Sequence, residues 1–250
     1  MRKFGLIGYP LGHSFSKKYF TEKFISEHIS DTSYENYPLK NIEQVTELLA
    51  SDGELCGLNI TIPYKSAIIR FLDIITPEAE EIGSVNVMKI RRSGGQIKLS
   101  GYNSDVTGIW DTLCPFINEN TRKALVLGTG GSSRAVCYVL KKFGLHVDQV
   151  SRKKTPGVLV YSDIDSDLIE RTQLIVNTTP LGMFPDMEGK PDIAYVSLNR
   201  SHILFDLVYN PELTSFLKMG AEKGSTIISG IRMLHSQAEK SWEIWNDDNV

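Results

Sequence analysis

A glycine-rich turn is the first feature of the sequence whose residue types could do chemistry. Gly128, Gly130 and Gly131 directly follow the apolar run 124–127 and precede apolar residues at helical spacing from 135 to 143. Glycine lets the backbone turn tightly and approach a ligand closely, and the amide groups that open a helix suit a pyrophosphate. The pattern predicts a strand, a nucleotide-binding turn and a helix; a turn that needs glycine only for packing is the alternative.

The residues after the next strand-like segment, 146–150, favour one nucleotide. An NAD-binding unit carries an acidic residue about 20 residues beyond its first glycine, where the carboxylate binds the ribose 2′-hydroxyl. This chain instead has Ser151, Arg152 and Lys153 at that place, followed by Lys154. A guanidinium group can bind a 2′-phosphate through two hydrogen bonds. The basic loop therefore predicts NADP, against the alternative of a solvated loop without a ligand.

Two serines lie between a predicted strand at 3–7 and a predicted helix at 17–29. Ser16 is placed to cap the helix. Ser14 and Ser16 together could also hold a small anion such as a carboxylate at the helix N-terminus. Both roles stay open on the sequence, whereas we interpret His13 as a loop histidine bonded to backbone rather than a catalytic group.

Thr61 and Lys65 flank the predicted start of a helix at the end of the strand-like segment 55–62. Pro63 suits the first position of that helix, and open α/β sheets bind ligands at the carboxyl ends of their strands. A lysine at a helix start opposes the helix dipole. This suggests another function for Lys65, with an ordinary exposed lysine as the alternative.

Asn86 and Asp105 are further candidates. Asn86 lies inside the predicted strand 84–90, where an amide is a poor strand former and needs hydrogen-bond partners if it is buried. Asp105 lies in the first turn of a helix that Asn103 or Ser104 could cap. Because the helix dipole favours an acid there, a local role and a catalytic role are both open for Asp105.

Two sets of strand–helix units are needed to position these residues, so the predicted class is α/β. Strand-like segments at 34–37 and 55–62 and a hairpin over 84–90 and 96–102 precede the glycine-rich turn. Further strand-like segments at 174–176, 202–205 and 226–228 follow it. The second set runs from about 104 to 231, and the first set must form its own sheet.

The composition excludes several classes of function. A chain of 250 residues with a net charge of −3 and a pI near 6.0 has no electrostatic case for nucleic acid or a membrane surface. Cys56, Cys114 and Cys137 lack metal-type spacing, so we interpret them as reduced thiols and predict no metal site. With no apolar run long enough to span a bilayer and no secretory signal, we predict a cytoplasmic protein.

Taken together, the motifs resemble those of the shikimate dehydrogenase family, in order from residue 5 to about residue 245. The loop after the first strand resembles the family's GNPxxHSxSP, and the segment ending at Lys65 resembles GxNVTxPxK. The segments around Asp105, Gly128 and Arg152 are similar to GxNTDxxG, GAGG and the NRT loop. Three further segments complete the set: NTTPLGM from Asn177, DLVY from Asp206 and GIRMLHSQA from Gly230.

The resemblance implies an NADP-linked reduction of 3-dehydroshikimate to shikimate, in the biosynthesis of chorismate and the aromatic amino acids. It implies an N-terminal α/β substrate domain with a mainly parallel sheet, residues 1–103 plus 232–250. The NADP-binding domain, residues 104–231, would be Rossmann-type and doubly wound, with the site in the cleft between the domains.

The resemblance also implies roles for individual residues. Lys65 and Asp105 would form the catalytic pair, with Lys65 as the proton donor. The residues implied to bind the substrate are Ser14, Ser16, Thr61, Asn86, Tyr209 and Gln237. Those implied to bind NADP are Gly128, Thr129, Gly130, Gly131, Ser132, Ser151, Arg152, Lys153, Thr178, Leu207 and Gly230.

Departures from the family pattern remove no catalytic group. Tyr9, Lys17 and Ser104 replace the usual Asn, Pro and Thr, and 151–153 is Ser-Arg-Lys rather than Asn-Arg-Thr. A quinate/shikimate dehydrogenase that uses either NAD or NADP is one alternative, and a dinucleotide-sensing protein without catalysis is another. Retention of both catalytic residues argues against the sensor. We predict a monomer or a homodimer that acts on small molecules.

Overall fold

The computed structural model describes residues 1–11 and 15–247, and the chain forms two compact units. The first unit comprises Met1–Ser104 and the chain from Ala238 onward, and the second comprises Asp105–Gln237. The predicted first domain ended at residue 103 and resumed at residue 232. The observed division lies after Ser104 and after Gln237, so residues 232–237 belong to the second unit.

Strands and helices alternate along much of the chain. The strands are β1 (Arg2–Gly8), β2 (Thr32–Pro38), β3 (Leu55–Ile60), β4 (Ile74–Ile75), β5 (Val87–Ser93), β6 (Gln96–Tyr102), β7 (Lys123–Leu127), β8 (His146–Ser151), β9 (Leu159–Val160), β10 (Leu174–Asn177), β11 (Ile203–Asp206) and β12 (Thr226–Ile228). The α-helices are α1 (Phe15–Ser26), α2 (Gln44–Ser51), α3 (Pro77–Ile82), α4 (Asp105–Leu113), α5 (Gly131–Lys142), α6 (Ser166–Glu170), α7 (Ser215–Glu222) and α8 (Ile231–Asn246). The fold class is α/β, as predicted.

The first unit contains a mixed, mainly parallel sheet in the order β2-β1-β3-β5-β6-β4. Strand β1 is parallel to β2 and β3, and β4 is parallel to β6, whereas β5 is antiparallel to β3 and β6. Strands β5 and β6 form the predicted hairpin. Gly94 and Gly95 at its tip have φ of 58° and 79°, a backbone conformation that glycine adopts without strain.

Aromatic residues from α1, β1, β2 and the end of α8 form one core of the first unit. Trp245 stacks on Phe4 at 4.7 Å, and Phe20 stacks on Tyr34 at the same distance between ring centroids. Burial of such large rings is the main source of stability at this face. The C-terminal half of α8 is thereby fixed to the sheet that contains β1.

The second unit contains an entirely parallel sheet in the order β12-β11-β10-β7-β8-β9. Counting this unit's strands from its first, β7, the order is 3-2-1-4-5-6 when read from β9, which is the doubly wound Rossmann order. Strand β10 is buried throughout and β7 is buried from Ala124 onward, as expected for the centre of a parallel sheet covered on both faces. The predicted Rossmann-type unit is confirmed.

Two predicted helix starts are wrong. Helix α1 begins at Phe15, so Ser16 lies in its first turn and is not its N-cap. Phe15 stacks on Tyr19, one turn further along, at 5.6 Å, and this contact extends the helix in the N-terminal direction.

No helix begins at Pro63. The Tyr64 amide donates to the carbonyl of Thr61 at 2.9 Å, which closes a turn, and the Tyr64 hydroxyl donates to the carbonyl of Leu39 at 2.6 Å. The buried Tyr64 therefore anchors a turn, and the short 3₁₀ helix Ala67–Phe71 follows only after Lys65. Thr61 and Lys65 flank this turn rather than a helix start.

Candidate active site

The glycine-rich turn after β7 leaves its outer side open. Gly128 has φ of 119°, which L-residues with a side chain rarely adopt, and a Cβ there would lie 2.5 Å from Oγ1 of Thr178. Among the described residues, no atom lies within 4 Å of the position that a Cβ of Gly130 would take. Helix α5 begins at Gly131. A ligand can therefore approach the backbone amides at the start of α5 closely.

Ser133 holds this turn in place, and the sequence analysis did not select it. Its hydroxyl donates to the carbonyl of Gly128 at 2.6 Å and accepts a hydrogen bond from Nε2 of Gln149 at 2.9 Å. Ser133 is buried, and Gln149 belongs to the neighbouring strand β8. The serine thus ties the turn to the adjacent strand. The position of Ser133 in the glycine- and serine-rich run is the one sequence signal for its role. Its contact with Gln149 could not be predicted from the sequence, because it arises from the pairing of β7 with β8.

The basic loop begins at the same edge of the sheet as the glycine-rich turn. Leu127 at the end of β7 pairs with Val150 in β8, and the Gly128 amide donates to the carbonyl of Val150 at 2.8 Å. Arg152 and Lys153 follow directly and are exposed. Two cationic side chains beside an open turn of backbone amides suit a phosphate-bearing ligand.

Thr178, Leu207 and Gly230 lie beside the carboxyl ends of β10, β11 and β12. The Thr178 hydroxyl donates to the carbonyl of Leu127 at 2.7 Å, so Thr178 lies against the glycine-rich turn. A Cβ on Gly230 would lie 2.5 Å from the carbonyl oxygen of Leu207. The structure therefore places Gly128 with Thr178, and Leu207 with Gly230.

A buried carboxylate organises the loops after β10 and β11. Asp206 accepts hydrogen bonds from Nδ2 of Asn177 at 2.9 Å, from the Val208 amide at 3.0 Å and from the Thr214 hydroxyl at 2.6 Å. Burial raises the pKa of Asp206 to about 6, and these three donors partly oppose that rise. Tyr209 follows in the same loop, and burial raises the pKa of its phenol as well.

In the first unit, the backbone places Lys65 beside the segment that contains Asn86. The carbonyl of Lys65 accepts a hydrogen bond from the Val85 amide at 2.8 Å, and Val85 directly precedes Asn86. Asn86 lies just before β5 rather than inside it. Its backbone is nevertheless hydrogen-bonded to both neighbouring segments: its amide donates to the carbonyl of Tyr102, and its carbonyl accepts from the Ile60 amide. Asn86 is buried, and it has the hydrogen-bond partners that burial requires, since Oδ1 accepts from the Ser104 amide at 2.7 Å.

Other predicted substrate contacts have separate placements. Ser14 lies outside the described residues, as does His13. Ser16 is half-buried in α1, one turn before Phe20, which stacks on Tyr34 of β2. Thr61 follows β3 directly, and its amide donates to the carbonyl of Ile7 at 2.9 Å.

Asp105 and Gln237 lie on two helices of the second unit that pack closely. Asp105 is the first residue of α4 and is buried. Gly108, one turn along α4, has no room for a side chain, because a Cβ there would lie 2.6 Å from the carbonyl of Met233 and 3.2 Å from Cβ of Gln237. Nε2 of the Gln237 side chain donates to the carbonyl of Leu234 at 2.9 Å. Asp105 thus has the first-turn position that the sequence predicted, and the structure adds that it is buried.

Neither a metal-binding cluster nor a membrane-spanning helix is present in the described part of the chain. Residues 1–11 and 15–247 contain no group of three or more His, Cys, Asp or Glu side chains arranged to hold a metal ion. Over the same residues, no helix combines the length and the apolar character that crossing a bilayer requires.

Known proteins resemble this chain over nearly its whole length. Residues 6–88 match the family model for the shikimate dehydrogenase substrate binding domain. The NADP(+) shikimate dehydrogenase of Methanococcus aeolicus is 34% identical, with an alignment that covers 96% of this chain and 90% of that protein. The chain belongs to the shikimate dehydrogenase family. The NADP(+) shikimate dehydrogenase of Clostridium beijerinckii is also 34% identical, with an alignment that covers 99% of this chain and 93% of that protein.

Solved structures of the family have the same fold. Shikimate dehydrogenase from Aquifex aeolicus superimposes with a TM-score of 0.86 at 31% identity, covering 100% of this chain and 94% of its own. Shikimate 5-dehydrogenase from Thermus thermophilus, solved in complex with NADP(H) and shikimate, has a TM-score of 0.83 at 29% identity. The superposition covers 98% of this chain and 94% of that chain. The resemblance first seen in the motifs is confirmed.

Proposed function

We propose that this protein catalyses the reversible, NADP-linked reduction of 3-dehydroshikimate to shikimate. One observation carries the proposal: the chain is 34% identical over 96% of its length to a curated NADP(+) shikimate dehydrogenase. A whole-chain match of this extent includes both the nucleotide-binding turn and the residues assigned to the substrate. The reaction belongs to the biosynthesis of chorismate and the aromatic amino acids.

We assign NADP to the second unit and the substrate to the first. Three features of the second unit support NADP: the open turn at Gly130, the start of α5 at Gly131 and the exposed cations Arg152 and Lys153. The sequence has no carboxylate at 151–154 to repel a 2′-phosphate. The full set proposed to bind NADP is Gly128, Thr129, Gly130, Gly131, Ser132, Ser151, Arg152, Lys153, Thr178, Leu207 and Gly230. When bound, NADPH supplies the hydride.

Six residues are proposed to bind the substrate. Ser14 and Ser16 are assigned to its carboxylate, and Thr61, Asn86, Tyr209 and Gln237 to its hydroxyl groups or to the lining of its pocket. For Ser16 and Asn86 the support is local. Ser16 lies one turn before Phe20, which stacks on the buried Tyr34, and Nδ2 of the buried Asn86 donates to the Ser104 hydroxyl at 3.0 Å.

Lys65 and Asp105 are proposed as the catalytic pair. Reduction of a ketone leaves negative charge on its oxygen, which needs a donor and finally a proton. The ammonium group of Lys65 donates that proton, and the carboxylate of Asp105 orients the ammonium. Support for the pair comes from the backbone bond between Lys65 and Val85, next to Asn86, and from the burial of Asp105 at the start of α4.

An absorbance assay of nicotinamide reduction tests the function directly. We expect shikimate with NADP to give turnover, and quinate or NAD to give much less. Comparable rates with quinate and with both cofactors would support a quinate/shikimate dehydrogenase instead. No shikimate-dependent reduction, in a preparation that still binds NADP, would support a sensor without catalysis and overturn the proposal.

We further propose that the protein acts in the cytoplasm as a monomer or a homodimer. Its substrates are small molecules, and its net charge of −3 provides no attraction to nucleic acid. Light scattering of the purified protein measures the oligomeric state, and a larger assembly would contradict this part of the proposal.

A further inference from the structure

The first unit contains a continuous chain of buried polar side chains. The Tyr34 hydroxyl donates to Oδ1 of Asn59 at 2.8 Å, and Nδ2 of Asn59 donates to the Ser241 hydroxyl at 2.9 Å. The hydroxyls of Ser241 and Ser104 are 3.1 Å apart, and Nδ2 of Asn86 donates to the Ser104 hydroxyl at 3.0 Å. We call these five residues the buried polar chain.

The members of the buried polar chain come from five separate places in the sequence. Tyr34 lies in β2, Asn59 in β3 and Ser241 in α8, whereas Asn86 and Ser104 directly precede β5 and α4. Each of the five residues is at most 6% exposed. Buried polar groups stabilise a structure only when they are paired, and the loss of one partner leaves the other unsatisfied. The five residues therefore depend on one another for their hydrogen bonds.

Backbone groups set the orientation of both amide side chains. The Ser104 amide, which can only donate, lies 2.7 Å from Asn86 and must face Oδ1. The carbonyl of Asn86, which can only accept, lies 3.4 Å from the Asn59 side chain and faces Nδ2. Each asparagine therefore directs Nδ2 toward a serine hydroxyl, and the two hydroxyls bond each other. Asn59 directs Oδ1 toward Tyr34, whose pKa burial raises, so the phenol stays protonated and donates.

Both ends of the buried polar chain meet residues assigned to the substrate. At one end, Ser16 lies on α1 one turn before Phe20, which stacks on Tyr34 at 4.7 Å between ring centroids. At the other end is Asn86 itself. Tyr34, Asn59 and Ser241 belong to neither the predicted substrate contacts nor the catalytic pair. Apolar side chains of similar volume would stabilise this part of the core as well as these polar ones do. The position of the three residues between the two assigned contacts therefore points to a role beyond stability.

We propose that Tyr34 and Ser241 are positioning residues, which act through Asn59 and Ser104 to hold Ser16 and Asn86 in the arrangement that binds the substrate. This inference rests on the proposed function, because it takes Ser16 and Asn86 to be substrate contacts. Tyr34 holds the Ser16 end and Ser241 holds the Asn86 end. Since the middle links are shared, a change at either residue disturbs both ends.

Kinetic analysis of Tyr34→Phe and Ser241→Ala tests the proposal. Both variants remove one hydroxyl and leave the surrounding side chains in place. We expect the KM for shikimate to rise about threefold to tenfold in each, which is the range for one lost hydrogen bond. The KM for NADP should stay within about twofold of the wild-type value, because the NADP contacts are not part of the chain.

The double variant distinguishes one connected chain from two separate contacts. If the five residues act together, Tyr34→Phe combined with Ser241→Ala raises the KM for shikimate by clearly less than the product of the two single effects. Simple multiplication of the single effects would contradict a connected chain. Unchanged KM for shikimate in both single variants would overturn the whole inference.

Tyr195→Phe and Ser225→Ala are the matched controls. Tyr195 and Ser225 are buried, and each donates one hydrogen bond to a backbone carbonyl, that of Pro191 at 2.8 Å and that of Asn199 at 2.9 Å. These two control variants should lose about as much thermal stability as Tyr34→Phe and Ser241→Ala, without a change in the KM for shikimate. A wild-type protein that fails to oxidise shikimate would instead refute the proposed function, an outcome distinct from active variants with unchanged KM.

Discussion

In the second unit every strand is parallel and most candidate NADP contacts lie at or just beyond the carboxyl ends of the strands, whereas in the first unit the sheet is mixed and includes a buried polar side chain in its strand β3. Strands β7 and β10 are buried and almost wholly apolar. Strand β3, by contrast, contains the buried Asn59, and Asn86 lies in register beside it. The sheet of the second unit presents glycines and backbone amides at the carboxyl ends of its strands. The sheet of the first unit instead presents polar side chains from its interior.

The difference between the two units is the one expected for the ligands that we propose for them. A dinucleotide phosphate is recognised by backbone amides and cations, which a short loop can provide by itself. A small polyhydroxy acid needs several side-chain donors and acceptors in fixed directions. Such an arrangement requires hydrogen-bonded support from several elements, which is the role that we propose for the buried polar chain in the first unit.

Substitution of Lys65 separates the chemistry of the first unit from the binding of NADP by the second. Lys65→Ala should lower kcat by about 10²-fold to 10⁴-fold, because the developing oxyanion loses its proton donor. The KM for shikimate should change little, since the proton is transferred only in the transition state. Steady-state kinetics measure both constants, and Lys98→Ala, an exposed lysine of β6, is the control. A kcat near the wild-type value would remove Lys65 from catalysis.

The buried carboxylate of the second unit makes stability depend on pH. The pKa of Asp206 is about 6 in the folded protein, above its usual 3.8. The folded state therefore binds the proton more tightly. The contribution of Asp206 to stability is greatest below pH 4 and is lost as the pH rises through about 6.

Comparison with Asp206→Asn isolates this titration. As the pH falls from neutral to about 4, the free energy of unfolding of the wild type should rise relative to that of the variant by up to ~3 kcal/mol. Denaturant unfolding at several pH values measures the difference. Asp186→Asn, an exposed residue of the same unit, should show no such trend. A constant difference between wild type and Asp206→Asn would show that the carboxylate does not titrate differently on folding.

Gly230 tests how tightly the loops of the second unit are packed. A Cβ there would lie 2.5 Å from the Leu207 carbonyl, and backbone cannot yield easily. Gly230→Ala should lower the free energy of unfolding by about 1–3 kcal/mol. Gly53→Ala, where the added Cβ meets no described atom within 4 Å, should change it little. Equal thermal stability of the two variants would contradict the close packing of Leu207 and Gly230.

The smallest predicted effect concerns the specificity for NADP. Arg152→Ala should raise the KM for NADPH about tenfold, the loss expected for one charge-assisted contact with a 2′-phosphate. The KM for NADH should change by less than about twofold, because NADH lacks that phosphate. Lys218→Ala, a lysine on α7 away from the loop, is the control. Equal increases for the two cofactors would refute the assignment of Arg152 to the 2′-phosphate.

The sequence by itself determined the elements that depend on neighbouring residues. The apolar run, the glycines and the helical spacing from 124 to 143 predicted β7, the turn and α5, because these interactions are local. The α/β class and the hairpin β5–β6 followed from similar local patterns, the Rossmann-type unit was implied by the family resemblance, and all three are confirmed. Assignment to the family rested on the order of short motifs, and the whole-chain comparisons confirm it.

Only the tertiary structure decided which distant residues meet. No helix starts at Pro63, because the hydrogen bond from Tyr64 to the carbonyl of Leu39, 25 residues away, outweighs the local preference. No spacing rule joins Tyr34, Asn59 and Ser241. Their hydrogen bonds arise from sheet register and from the packing of α8 on the first unit, which are properties of the complete fold. The same holds for Asn177, Asp206 and Thr214 in the second unit.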